Sequence, residues 1–228
     1  MQQKWIVKSM VSLVLVGVFV FAVWGQKPDA VEMVKQYSEA AKTNGALMRQ
    51  YSWKMRIEVT IKGDTKQPMI YLMRFDFDGK LQKTLLTAPQ QKKKRRGLRK
   101  RIAKKKIAQV KAWANKLTDL VKRYTTASPG VMLDFYMKAS FTPLANGTLQ
   151  IRAGGFLQPG DKATFLHDSQ SQQLKQFTFS TTLDGENVLG TVQYAKVTNG
   201  PTYAARSIIQ VPGKKVTAVV ENFDFLKQ

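Results

Sequence analysis

A mixed α+β fold on a long antiparallel sheet is what this 228-residue chain predicts, and three patterns predict it. Apolar residues alternate with polar ones from Trp53 to Leu86, the period of half-buried strands. From Leu98 the period becomes helical, with Ala103, Ile107, Val110, Ala114, Leu117, Val121 and Tyr124 recurring at spacings of 3 and 4. From Phe141 onward Asn146-Gly147, Pro159-Gly160, Asp184-Gly185, Asn199-Gly200 and Pro212-Gly213 punctuate strand-like runs at hairpin intervals. Such a sheet either closes into a barrel or curls around helices that fill its concave face.

The first 25 residues stand apart. Met1 to Lys8 carries Lys4 and Lys8 and no acid, and Ser9 to Gly25 is a run of seventeen uncharged, mostly apolar residues. A charged start, an apolar run and a small-residue exit form the pattern of a secretory signal, with Val23 and Gly25 at −3 and −1 and cleavage before Gln26. A spanning helix needs about 20 apolar residues, so an uncleaved anchor is the alternative. No Cys follows the run, which excludes a bacterial lipoprotein anchor. The expected location is therefore the periplasm or cell envelope, with residues 26–228 forming one domain. That domain keeps a net charge of +20, since removing two lysines from +22 leaves 22 − 2. Without cysteines it must be held by its core rather than by disulfides or thiolate metal sites.

The elements follow in order. Asp29 is placed to cap a helix over Ala30–Thr43, its stripe Val31, Val34, Tyr37, Ser38 and Ala41, with Asn44-Gly45 ending it or interrupting it before a second turn over Ala46–Gln50. Trp53, Met55, Ile57, Val59 and Ile61 form the apolar face of a first strand. Gly63-Asp64 opens a turn, and Met69, Tyr71, Met73, Phe75 and Phe77 give its antiparallel partner. Asp78-Gly79 turns into a third strand, Leu81–Leu86. Residues 89–140 are a helical insertion: a basic loop, the long helix from Leu98, then a short helix capped by Ser128-Pro129 with Val131, Met132, Phe135, Tyr136 and Ala139 inward. Strands are expected over Thr148–Ala153, Lys162–His167, Leu174–Leu183, Val188–Val197, Tyr203–Val211 and Lys214–Phe225.

Little here suggests catalysis. The single histidine, His167, reads as a solvated strand-end residue and cannot by itself build a metal site or serve a nucleophile. Asp76-Phe77-Asp78-Gly79 lacks the ligands of a calcium loop and reads as a hairpin turn. Gly154-Gly155 precedes no helix, so it reads as a bulge or bend rather than a phosphate cradle. Asn146-Gly147-Thr148 matches a glycosylation sequon but reads as a turn. Neither an enzyme nor a cofactor is expected.

The densest feature is Lys92–Lys106, with eleven Lys or Arg among fifteen residues and no acid. A surface needing only solubility would interleave acids, because charges within a Debye length of about 8 Å repel one another. The run reads as an anion dock comprising Lys92, Lys93, Lys94, Arg95, Arg96, Arg99, Lys100, Arg101, Lys104, Lys105 and Lys106. Export makes an anionic membrane surface the expected partner, each basic residue contributing about 1 kcal/mol at such a surface. Nucleic acid is not expected, and neither is oligomerisation.

The paired strands LKQFTFSTTLDGENVLGTVQYAKVTNG (Leu174–Gly200) and the opening strand YSWKMRIEVTIKG (Tyr51–Gly63) resemble the periplasmic carriers of the LolA type and their LolB- and LppX-like relatives. Where that family has an Arg-Pro motif in its second strand, this chain reads MRFDFDGKLQKT. The resemblance implies a half-barrel whose concave face is covered by the N-terminal helix and the inserted helical pair. It also implies an apolar cavity for a lipid or acylated lipoprotein, lined by Met55, Ile57, Met73 and Phe75 from the sheet and by Trp113, Leu117 and Val121 from the helix. The alternative is an envelope scaffold with a filled core, whose basic helix binds an acidic partner or polymer.

Overall fold

The computed structural model describes residues 29–87, 98–145, 147–171 and 173–228, with side chains in the second stretch from Ala108 onward. The signal-like segment and Lys92–Arg96 lie outside the described residues. Among the described residues, three α-helices, α1 (Ala30–Met48), α2 (Leu98–Thr125) and α3 (Pro129–Lys138), accompany an antiparallel sheet of 11 strands. The strands are β1 (Tyr51–Ile61), β2 (Asp64–Thr65), β3 (Met69–Phe75), β4 (Leu81–Leu85), β5 (Ser140–Leu144), β6 (Thr148–Gly154), β7 (Lys162–Asp168), β8 (Leu174–Leu183), β9 (Glu186–Lys196), β10 (Thr202–Val211) and β11 (Val216–Lys227).

Their order is β4-β3-β1-β11-β10-β9-β8-β7-β6-β5, with β2 paired to β1. The sheet is not closed, because β4 and β5 are its two edges. The first and last strands pair at its middle, β1 with β11 from Tyr51↔Lys227 to Ile61↔Val216. The period-2 pattern fixes which face is inward: Tyr51, Trp53, Met55, Ile57 and Val59 are buried, and the even positions between them are half-exposed. One core cluster joins Met73 of β3 to Ile151 of β6, Val192 of β9, Leu117 of α2 and Phe135 of α3. The sheet therefore curls, and its helices fill the concave side.

Helix α1 starts as its sequence dictates, Asp29 Oδ1 accepting from the Val31 N–H at 2.8 Å. It does not stop at Asn44-Gly45. Asn44 is 5% exposed and its side chain bonds β10 instead of closing the helix, so the helix runs on to Met48. Its buried face is Met33, Tyr37 and Asn44, whereas Val31 is 64% exposed. Helix α3 is capped by Ser128, whose hydroxyl accepts from the Val131 N–H, and it buries Met132, Phe135 and Tyr136.

Three further expectations are corrected. Phe77, expected inward, is fully exposed, because β3 ends at Phe75 and the Asp76–Gly79 turn swings it out. His167 is only 2% exposed rather than solvated, because β7 continues past it and its alternation places it on the core face with Ala163 and Phe165. A strand missed by the sequence reading, β5, pairs with β6 as the sheet's edge; its Pro143 removes one edge donor, as suits an unpaired margin.

Candidate functional site

The inner face divides into a filled end and a half-open margin. Over β6–β8 the helices meet an aromatic cluster. Tyr124 stacks on Phe179 at 4.3 Å between centroids, Phe165 on Phe177 at 4.4 Å, and Phe135 meets Phe165 edge-on at 5.0 Å. Gly190 on β9 makes this stack possible: it faces Phe179 in register, and a Cβ there would come within 2.1 Å of the Phe179 ring. Asp161, 2% exposed, ties the β6–β7 loop to α2. Its Oδ2 accepts from the Tyr124 hydroxyl and from the N–H groups of Leu157 at 3.1 Å and Gln158 at 2.9 Å. Burial and then the Asp161 bond push the Tyr124 phenol well above its ordinary range. Burial raises Tyr37 to about 12, and it raises Tyr136 and Tyr194 further, with Tyr37 adding to both.

Of the sheet residues read as a lining, Met55, Ile57 and Met73 are buried within the core, and Phe75 is half-buried beside Trp53 with ring centroids 5.9 Å apart. From α2, Leu117 and Val121 belong to the same core. Trp113 is half-buried against it, with the Lys214 ammonium 5.6 Å from its ring centroid. The Trp113 indole N–H is buried and has no acceptor among the described residues. These seven side chains are brought together as one apolar surface.

Toward β4 the burial weakens. Leu81, Lys83 and Leu85 alternate onto the inner face, each half-buried, while Gln82 and Thr84 face out. Lys83 is the feature that the reading of the sequence missed. The signal was there, a charge at an inward position of the pattern Leu81-x-Lys83-x-Leu85. Lys83 pairs in register with Met73, and its Nζ lies over the Tyr71 ring at 4.0 Å from the centroid. Burial pulls this ammonium down to about 7.

The second feature is α2 itself. At about 1.5 Å per residue its 28 residues span about 42 Å. Its first buried side chain among those described is Ala114; Ala108, Gln109 and Ala112 are exposed and Val110 is 49% exposed. The apolar stripe therefore outruns the core, which corrects the expectation that Val110 faces it. The backbone of Arg99, Lys100, Arg101, Lys104, Lys105 and Lys106 belongs to this leading half of the helix. Basic charge at a helix N-terminus opposes the macrodipole, and no acidic residue stands in its first turn.

No helix among the described residues is long and apolar enough to cross a membrane. The described residues hold no cluster of three or more His, Asp or Glu side chains suited to a metal ion.

No family model and no curated protein matches this chain. Among solved structures it is similar to a LolA superfamily protein from Nitrosomonas europaea, at 10% identity and a TM-score of 0.38 over 84% of this chain and 93% of that one. It is similar to a DUF1329 family protein from Desulfovibrio piger at 9% identity and a TM-score of 0.46, over 88% and 94% of the two chains. It is also similar to a putative outer membrane lipoprotein-sorting protein domain from Vibrio parahaemolyticus at 8% identity and a TM-score of 0.41, over 88% and 94%.

Proposed function

We propose that this is an exported envelope protein that docks on an anionic membrane surface through the leading half of α2. There it takes a lipid or an acylated lipoprotein against the inner face of its sheet. The observation that carries the reading is the mismatch between α2 and its core. Among the described side chains of α2 burial sets in only toward its C-terminal half, Val110 ahead of it is exposed, and seven of the fourteen residues of the leading half, 98–111, are Lys or Arg with no acid among them. An amphipathic basic helix of that kind lies in a membrane interface, with apolar contact and headgroup attraction adding together. The apolar inner face, half-buried along β4, would supply a surface on which an acyl chain is shielded from water. The signal-like start agrees with an envelope location.

A second reading is favoured by one observation: Met55, Ile57, Met73, Leu117 and Val121 are each no more than 6% exposed. A filled core suits a non-enzymatic envelope scaffold whose basic helix binds an acidic partner or polymer. The two readings part at the organic extract of the protein purified from the envelope. A lipid carrier yields a stoichiometric acyl-containing species by mass spectrometry. A consistently empty extract sinks the carrier and leaves the scaffold.

A further inference from the structure

We propose that Lys62 and Lys215 form a second membrane-docking element, which sets one rim of the sheet against an anionic bilayer; the proposal rests on the membrane-docking reading above. The starting observation is backbone conformation. Five described residues other than glycine have a positive φ: Lys62, Asp184, Asn199, Lys215 and Asp224. Asp and Asn tolerate the left-handed region because a short polar side chain bonds locally. Lysine has no such compensation, so the two lysines are the exceptions, each at φ +52°. They are also partners. The Lys62 N–H donates to the Lys215 carbonyl at 2.8 Å, joining the turn after β1 to the turn before β11. Both side chains are exposed, and among the described residues neither ammonium has an ion-pair partner. At both turns a charge stands where glycine or asparagine would cost less, which points to a use for the charge itself.

The pair lies on the rim that α2 follows. Here Ile61 stands opposite Val216, and the far end of the same ladder is Tyr51 opposite Lys227. Helix α2 crosses the neighbouring turns: Lys116 pairs with Asp184 at 3.0 Å, and the Lys214 ammonium stands 5.6 Å from the Trp113 ring centroid. Trp113 is also the first described core contact of α2, so the basic leading half departs from this rim. Three acids along the rim are already engaged, Asp64 by Lys66, Asp184 by Lys116 and Glu186 by Lys214 at 3.2 Å. The charges of Lys62 and Lys215 are left over. Excess lysines beside a basic helix complement an anionic leaflet, which attracts ammonium groups as point charges and needs no shaped pocket. The exposed Phe77 and Leu226 belong to the opposite end, beyond Phe75 and beside Lys227, so this orientation turns them away from the bilayer.

The chain has no cysteine, so a single introduced one carries a fluorophore to a chosen place. The full chain is mixed with phosphatidylglycerol–phosphatidylcholine vesicles or with phosphatidylcholine alone. A label on Thr65→Cys, at the rim, should be shielded from acrylamide by the mixed vesicles, and a label on Phe77→Cys should stay open. A shielded Phe77→Cys label or an open Thr65→Cys label overturns the proposal. Lys62→Asn with Lys215→Asn removes both charges and suits both backbone positions, so thermal stability should hold or rise. Its affinity for the mixed vesicles should fall about thirtyfold, the scale of two ammonium groups at such a surface. Lys62→Arg with Lys215→Arg should keep the affinity. If the Asn pair binds as the wild type does while replacing Arg99, Lys100 and Arg101 by Gln weakens binding, docking through α2 stands and the rim is overturned. If the wild type binds neither vesicle, the docking reading and the rim fall together.

Discussion

The Asn44 side chain pairs with the backbone of Thr202 as a strand would. Its Nδ2 donates to the Thr202 carbonyl at 2.9 Å, and its Oδ1 accepts from the Thr202 N–H at 2.8 Å. Both residues are 5% exposed and lie 158 positions apart in the chain, so this contact fixes α1 against the start of β10. Asn44→Ala leaves a buried donor and a buried acceptor without partners. It should cost about 3 kcal/mol, or about 10 °C in Tm for a domain of this size. Asn44→Asp keeps only the acceptor and should recover little of that loss. Thermal unfolding of the two variants checks both statements.

Gly190 is required by the ring of Phe179. An alanine methyl group at that position would lie 2.1 Å from the ring and would break the Tyr124–Phe179 stack. Gly190→Ala should destabilise by about 2 kcal/mol through overpacking. Phe179→Leu should shrink that penalty, and a double-mutant cycle from urea unfolding measures the coupling. An additive pair would contradict the contact.

Asp161 acts as the cap of the Phe156–Asp161 loop. Tyr124→Phe removes one of three donors to its carboxylate and should cost about 1 kcal/mol, whereas Asp161→Ala orphans all three and should cost about 3 kcal/mol. Hydrogen exchange of the Leu157 and Gln158 amides should accelerate strongly only in Asp161→Ala.

Lys83 gives a stability slope of known sign. Its folded value, about 7, lies below the ordinary lysine value of 10.5 because of burial. Below about pH 7 the group is charged in both states and the folded state bears the full cost of burying it. Between about 7 and 10.5 the unfolded chain binds the proton and the folded chain does not, so stability rises with pH across that window. Tyr71, which faces the same ammonium, is raised by burial and therefore titrates above its ordinary value. Urea unfolding at pH 6.5, 8 and 9.5 should show the rise in the wild type and a smaller one in Lys83→Met. Equal slopes would contradict the assignment.

Much of the fold was legible because alternation and helical periodicity are local signals. β1, β3, β8 and β9 match, to within two residues at each end, the runs expected over Trp53–Ile61, Met69–Phe77, Leu174–Leu183 and Val188–Val197. What escaped depended on distant partners. Asn44-Gly45 carries a helix-ending signal, yet Thr202 overrides it. His167 reads as a strand end until the length of β7 is known. The stripe on α2 gives its period but not how far a core follows it, so Val110 reads as buried when it is exposed. Lys83 was hidden by its ordinariness, since a lysine in a short strand looks solvated until the register with Met73 turns it inward.

The docking of α2 is tested most directly by vesicle flotation. The wild type is compared with a variant in which Arg99, Lys100, Arg101, Lys104 and Lys105 are all replaced by Gln. The wild type should float with anionic vesicles, stay behind with neutral ones, and dissociate as salt rises. The variant should fold normally, because the core contacts described for α2 begin at Trp113, beyond the substituted positions, and its affinity for anionic vesicles should fall by more than about tenfold. Unchanged flotation of the variant would contradict the account and leave the basic run as a solvated surface.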